Sequence, residues 1–232
     1  MNVDSAKGSR VYTPVTLRLY DWWVLNISNR YAWRCPTEQI LLPHFQRHLS
    51  KNHLDIGVGT GWYLANSTQA LERVSLLDLN PVSLDAAAGR IGTGRVTDRV
   101  RHDVFKPLPA EMNDRYDSVS LFYLLHCLPG EMSLKSIALA NIKAAVTQGG
   151  TVYGATILGS GVEHNAFGRK LMNVYNKKGI FGNQHDSLSS LKMALQQHFR
   201  EVEIQLHGTV ALFAARDKIS GEAKSVASIP AF

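Results

Sequence analysis

Cysteine is scarce in this chain. Only Cys35 and Cys127 occur in 232 residues; they lack the paired spacing that holds zinc and are too few for a disulfide framework, so a reducing, cytoplasmic setting is expected. Long apolar runs are missing too. Met1 to Arg10 has no apolar signal core and no stretch approaches membrane-spanning length, so no membrane partner is expected. Charged residues make up 19% of the chain and the formal excess of +6 is scattered. The short basic clusters at Arg95 to Arg101 and Lys170 to Lys178 carry no interleaved aromatics, which argues against a nucleic-acid groove. His44 and His48 share an i, i+4 spacing, but no glutamate follows His44 and no third ligand is placed by sequence, so no metal is assigned. What remains is a 45% apolar chain long enough to bury one substantial core as a single domain.

The informative segment is Leu54-Asp55-Ile56-Gly57-Val58-Gly59-Thr60-Gly61, followed by Leu76-Leu77-Asp78-Leu79-Asn80-Pro81. An apolar strand ends in three glycines spaced for close approach of a ligand to the backbone, and a second ends in an acid suited to two vicinal hydroxyls. Asp78 lies about twenty residues beyond the first glycine, as expected when one helix joins adjacent parallel strands. This is the pattern of a nucleoside site. A dinucleotide fingerprint places a small residue at the sixth position, where this chain has Trp62, and a pyrophosphate is poorly served by an acid such as Asp55 inside the motif. A ligand carrying positive charge suits Asp55 better.

Asp55 followed by Gly57, Gly59 and Gly61 resembles the first motif of class I S-adenosylmethionine-dependent methyltransferases, small-molecule and natural-product subgroup. The downstream order agrees. Pro81 to Ala88 reads as a crossover helix with proline in its first turn, Arg99 to Phe105 as a third strand, Tyr116 to Tyr123 as a buried fourth, and Met132 to Val146 as a periodic helix. Gln148-Gly149-Gly150 reads as its C-cap before a fifth strand, Thr151 to Thr156. Asp186 reads as the cap of a helix over Leu188 to Phe199. Val202 to Leu206 and Val210 to Arg216 flank the turn at Gly208 as an antiparallel pair. The resemblance thus implies an α/β, Rossmann-like doubly wound sheet of seven strands with an antiparallel last strand, an N-terminal helical cap and a lid after strand five. The expected extents are 1–10 for a disordered N-terminus, 11–218 for the domain (cap 11–50, lid 159–183) and 219–232 for a mobile tail.

The same resemblance implies S-adenosyl-L-methionine as cofactor and S-adenosyl-L-homocysteine as product. It assigns Asp55, Gly57, Gly59 and Gly61 to the cofactor turn, Asp78 and Leu79 to the ribose, Asp103 and Val104 to the adenine, and the backbone of Leu121 and Phe122 to the amino group. It also suggests that an N-terminal tyrosine, Tyr12 or Tyr20, closes over the donor, whose sulfonium is attracted to aromatic faces. A helix on the apolar spacing Leu17, Tyr20, Val24 and Ile27 is expected to end near Ser28-Asn29, and another to run from an N-cap at Thr37 to His48. Trp23, Tyr31 and Tyr123, with Asn165 and Tyr175 from the lid, are candidates for the acceptor pocket.

Methyl transfer needs alignment, exclusion of water and control of the acceptor's proton more than it needs reactive side chains. His126, at the end of the fourth strand, is the best candidate base, with His164 and Tyr20 as further catalytic candidates; His126 also reads as a residue that only shapes the pocket. Cys127 is expected to point away from His126 because neighbouring strand residues face opposite ways. The partner is a small molecule whose accepting atom is oxygen, nitrogen or an electron-rich carbon. The alternatives are a nicotinamide-dependent oxidoreductase and a non-catalytic methyltransferase-like binding protein. Monomer and homodimer are equally open.

Overall fold

The computed structural model describes residues 22–219. The expectations for residues 1–10, Tyr12, Tyr20 and the segment beyond 219 lie outside these residues. Among the described residues seven strands form one sheet in the order β3-β2-β1-β4-β5-β7-β6: β1 (Asn52–Ile56), β2 (Arg73–Asp78), β3 (Asp98–Arg101), β4 (Tyr116–Phe122), β5 (Val146–Ile157), β6 (Phe199–His207) and β7 (Val210–Lys218). The first five run parallel, and β7 is antiparallel to both β5 and β6. Strand order reverses between β1 and β4, and the crevice beyond the carboxyl ends at such a switch point is where doubly wound sheets bind ligands.

Helices cover both faces. On one, α5 (Met132–Ala145) and α7 (Leu188–Gln196) bury Leu139, Ile142, Leu191 and Leu195 against Leu54 and Ile56. On the other lie α1 (Trp22–Ala32, π-helical), α2 (Leu42–His48), the short α3 (Trp62–Ala65), α4 (Pro81–Ile91) and α6 (Ala166–Lys177). Phe45, Leu84, Phe122 and Tyr153 belong to that second core, and burying each such side chain stabilises the fold by about 1.5–3 kcal/mol. On β1 the alternation of a pleated strand sends Leu54 and Ile56 to the first face and His53 and Asp55 to the other. The His53 ring accordingly meets Phe45 and Tyr153 at centroid distances of 5.8 and 6.1 Å.

Several boundaries differ from the sequence reading. Thr37 caps nothing: its hydroxyl donates to Leu25 O at 2.6 Å and accepts from Asn29 Nδ2 at 2.9 Å, tying α1 to the next segment. Strand β3 stops at Arg101, so Asp103 lies in the following loop. Gly149 and Gly150 do not cap α5 but lie within β5, where a Cβ on Gly150 would meet Asp117 O at 2.9 Å. Ser187, not Asp186, caps α7, through a reciprocal box with Ser190. The Asp186 carboxylate instead pairs with Lys135 Nζ at 2.5 Å, both groups wholly buried, and Lys135 also donates to Gly182 O at 2.9 Å. An interior lysine leaves no apolar substitute for its partner, so tertiary pairing overrode the local capping signal.

Candidate functional site

A cavity of about 230 Å³ opens at the switch point. Its floor is the turn after β1, and its geometry explains the glycines one at a time. Gly59 sits at φ +53 with nothing within 4 Å of an added Cβ, so its backbone faces open space on the cavity. Gly61 serves packing instead: at φ +69, a Cβ there would lie 2.9 Å from Ala87 Cα, so this glycine lets α4 close onto the turn. Gly57 lines the cavity and Gly61 does not.

Two acids face each other across this floor from adjacent strand ends. Asp78 accepts from Asn80 N at 2.8 Å, and burial raises its pKa to about 6 against the pull of surrounding backbone N–H groups. Asp55, on β1, is likewise raised to about 6 by burial, with Ser120 pulling it down and Asp78 pushing it up. A buried and a half-buried carboxylate at one cavity favour a ligand that offers both hydroxyl donors and positive charge. Together with the open cradle above Gly59, this donor-and-charge demand fits S-adenosylmethionine: Asp78 toward the ribose hydroxyls, Asp55 toward the ammonium. Leu79, Asp103, Val104, Phe122 and Tyr123 also line the cavity. Leu121 does not; it is fully buried in the core.

Much of the remaining lining of the cavity is apolar. Val24 and Leu25 of α1, Leu124 and Leu128 after β4, and Ile180 beyond α6 line it with Trp62 and Tyr63. Tyr63 is held between Phe45 and Phe122, with centroids at 5.5 and 4.7 Å, so it stiffens the wall that Trp62 meets edge-on.

The catalytic expectation for His126 requires correction. Its side chain is 2% exposed and not on the cavity. Nδ1 accepts from Ile157 N at 3.3 Å, the ring packs against Phe181 at 4.6 Å, and burial lowers its pKa to about 3. The cause is local: Leu125–Cys127 is a 3₁₀ turn, so the two-residue alternation of β4 ends and Cys127, not His126, reaches the cavity. Burial raises the Cys127 thiol to about 12, which keeps it neutral and non-nucleophilic. His164 is equally remote, its Nε2 bonded to Leu158 O at 3.0 Å and its ring edge-on to Trp33.

Four acceptor-pocket candidates also lie off the cavity. Trp23 Nε1 donates to the Tyr175 hydroxyl at 3.1 Å. Asn165 caps α6 by accepting from Gly168 N at 2.7 Å and donates to Tyr31 O at 2.7 Å. Tyr31 itself is 55% exposed. These residues clamp α6 onto α1, a use their polarity and helical spacing did not distinguish from ligand binding. Val24, Leu25, Tyr63, Cys127 and Ile180 went unrecognised as lining; only Val24 carried a signal, as a member of the apolar face of α1. Among the described residues no group of three or more histidine, cysteine or acidic side chains could hold a metal, and no helix is long and apolar enough to cross a membrane.

A methyltransferase-domain family model matches residues 54–152. The chain is 52% identical over 194 residues to the uncharacterized protein YbcY of Escherichia coli (strain K12), covering 84% of this chain and 100% of that one. It is 43% identical over 210 residues to the physcion biosynthesis cluster O-methyltransferase of Aspergillus chevalieri, covering 90% and 94%. Among solved structures it resembles a Haemonchus contortus N-methyltransferase in complex with phosphomonomethylethanolamine and S-adenosylhomocysteine, with a TM-score of 0.62 at 17% identity over 86% of this chain and 45% of that chain. That likeness shows the fold. Identity of 43% sustained along nearly the whole of an enzyme shows descent as well, and the chain belongs to the class I S-adenosylmethionine-dependent methyltransferases of small molecules.

Proposed function

We propose that this enzyme methylates a hydroxyl oxygen on a small, planar, largely apolar acceptor of natural-product type. The observation that carries the reading is that one cavity is lined both by acids, Asp55, Asp78 and Asp103, and by apolar side chains, Val24, Leu25, Leu128 and Ile180 among them. The acids suit a cationic nucleoside and the apolar residues an uncharged carbon skeleton. Choice of oxygen is supported by the O-methyltransferase to which the chain is 43% identical. S-adenosylmethionine, which Asp55, Asp78 and the turn at Gly59 would hold, would supply an electrophilic methyl group, and the acceptor hydroxyl would lose its proton as the methyl ether forms.

The chain's own part is positioning. The apolar lining would hold the acceptor beside the donor, and alignment of this kind is a main contribution of the protein when the methyl is already activated.

The test is incubation with methyl-labelled S-adenosylmethionine and a panel of hydroxylated aromatic and polyketide compounds, matched with amino analogues, read by mass spectrometry. The expected product is a labelled methyl ether. Transfer confined to the amines, or to ring carbon, would overturn the choice of oxygen.

A further inference from the structure

Behind Asp55 lies a row of buried polar groups that methyl transfer does not itself require. His53, Ser118 and Ser120 are each 0% exposed. Parallel pairing sets His53 beside Ser118 and Asp55 beside Ser120, so all four side chains share one face of the sheet. They form a continuous chain of hydrogen bonds. Ser50 N donates to Ser118 Oγ at 3.0 Å, Ser118 Oγ lies 2.7 Å from His53 Nδ1, His53 Nε2 lies 3.1 Å from Ser120 Oγ, and Ser120 Oγ donates to Asp55 Oδ1 at 2.5 Å.

The direction of this chain is fixed at both ends. The Ser50 N–H can only donate, and an ionised Asp55 can only accept. With Ser120 giving its one hydrogen to Asp55, its oxygen must accept from His53, which requires the Nε2–H tautomer. Neutral His53 then accepts at Nδ1 from the Ser118 hydroxyl, and every hydrogen has a partner. Reversed, the chain has Asp55 protonated and donating to Ser120, Ser120 donating to Nε2, and Nδ1–H donating to Ser118. The Ser118 oxygen would then accept twice and its own hydrogen would find no further acceptor among the described residues. A buried unpaired donor costs more than a bond gained, so the arrangement favours the anion at Asp55.

We propose that Ser118, His53 and Ser120 are positioning residues for the methyl donor: a one-way donor relay that keeps Asp55 ionised and oriented toward the donor's ammonium group. The proposal rests on reading the cavity as the donor site. His53 is well suited to the part, because burial pushes its pKa down to about 3 and leaves it neutral. Five other groups stand around Asp55: Asp78 from β2, which opposes ionisation; the Tyr153 hydroxyl from β5, raised chiefly by burial and then by Asp55, against a pull from Ser120, and so neutral; and, beyond Tyr153, His44 and His48 of α2, with Arg216 of β7 bonded to His48. Both histidines are lowered by burial, so Ser120 is the direct hydrogen-bond donor to the carboxylate in this set.

The experiment is calorimetric binding of S-adenosylhomocysteine and of methylthioadenosine, which lacks the amino acid portion, from pH 5 to 8. Wild-type protein is compared with Ser118→Ala and Ser120→Ala, and the His53 tautomer is read by nitrogen NMR in unmodified protein saturated with S-adenosylhomocysteine. In Ser120→Ala the pH midpoint for S-adenosylhomocysteine should rise by about one unit, which is about tenfold weaker binding at pH below both midpoints. Ser118→Ala should move it the same way by less, methylthioadenosine should show no such shift, and His53 should carry its proton on Nε2. An unmoved midpoint in Ser120→Ala, an equal shift for methylthioadenosine, or an Nδ1–H tautomer overturns the relay. Failure of both ligands to bind wild-type protein overturns the donor-site reading instead. If the variants do not fold, the tautomer in the native protein still decides.

Discussion

Gly59 and Gly61, two residues apart in the same turn, should fail in opposite ways. Gly59→Ala adds a methyl that meets no protein atom within 4 Å, at a residue with φ +53. Its cost to stability is the left-handed backbone alone, about 1 kcal/mol, or roughly 2–4 °C in Tm for a domain of this size. That methyl enters the cavity floor, so affinity for S-adenosylhomocysteine should fall at least tenfold. Gly61→Ala carries the same backbone cost at φ +69 and drives a methyl to 2.9 Å from Ala87 Cα and 3.1 Å from its carbonyl oxygen. Backbone on a helix cannot give way as a side-chain tip can, and overpacking of this kind adds about 1–3 kcal/mol. A total of about 3 kcal/mol, roughly 6–12 °C, is expected. Urea denaturation followed by calorimetry on each folded variant separates the two effects. Full ligand affinity in Gly59→Ala, or native stability in Gly61→Ala, would refute the division of labour within the turn.

Three further outcomes follow from buried charge. Lys135→Met strands the Asp186 carboxylate in the interior and should cost about 3–5 kcal/mol, while Lys135→Met with Asp186→Leu should recover most of it; chemical denaturation of the pair checks this. His126, lowered to about 3, should remain neutral from pH 5 to 8 by NMR, and a ring titrating near 6.5 would show that it reaches solvent. The Asp55 and Asp78 carboxyls, raised from 3.8 to about 6, bind protons more tightly folded than unfolded. They therefore add ligand-free stability as pH falls from about 7 toward 4 and oppose folding above 6. Asp78→Asn should accordingly stabilise the ligand-free protein at pH 8 by about 1–2 kcal/mol while weakening S-adenosylhomocysteine binding, and a destabilised variant would contradict the sign.

Much of the molecule was legible in the chain because short-range physics wrote it there. Glycine spacing, the acid about twenty residues on, and apolar runs of strand length carry the parallel sheet and the glycine turn at its switch point, since backbone freedom and strand alternation are properties of neighbouring residues. Asp55, Gly57, Gly59, Asp78, Asp103 and Phe122 accordingly all line one cavity. Tertiary contacts decided the rest. Whether His126 or Cys127 faces the cavity depended on β4 giving way to a 3₁₀ turn, a change of period that no residue in Leu124-Leu125-His126-Cys127 announces. Trp23, Asn165 and Tyr175 have the chemistry of a binding pocket but spend it on holding α6 to α1, and only the packing of distant segments distinguishes the two uses. His53 gained its place behind Asp55 from Ser118 and Ser120, more than sixty residues away. A sequence states which groups are available for hydrogen bonding; which of them meet inside the sheet is fixed by strand order and register, and those exist only in the folded chain.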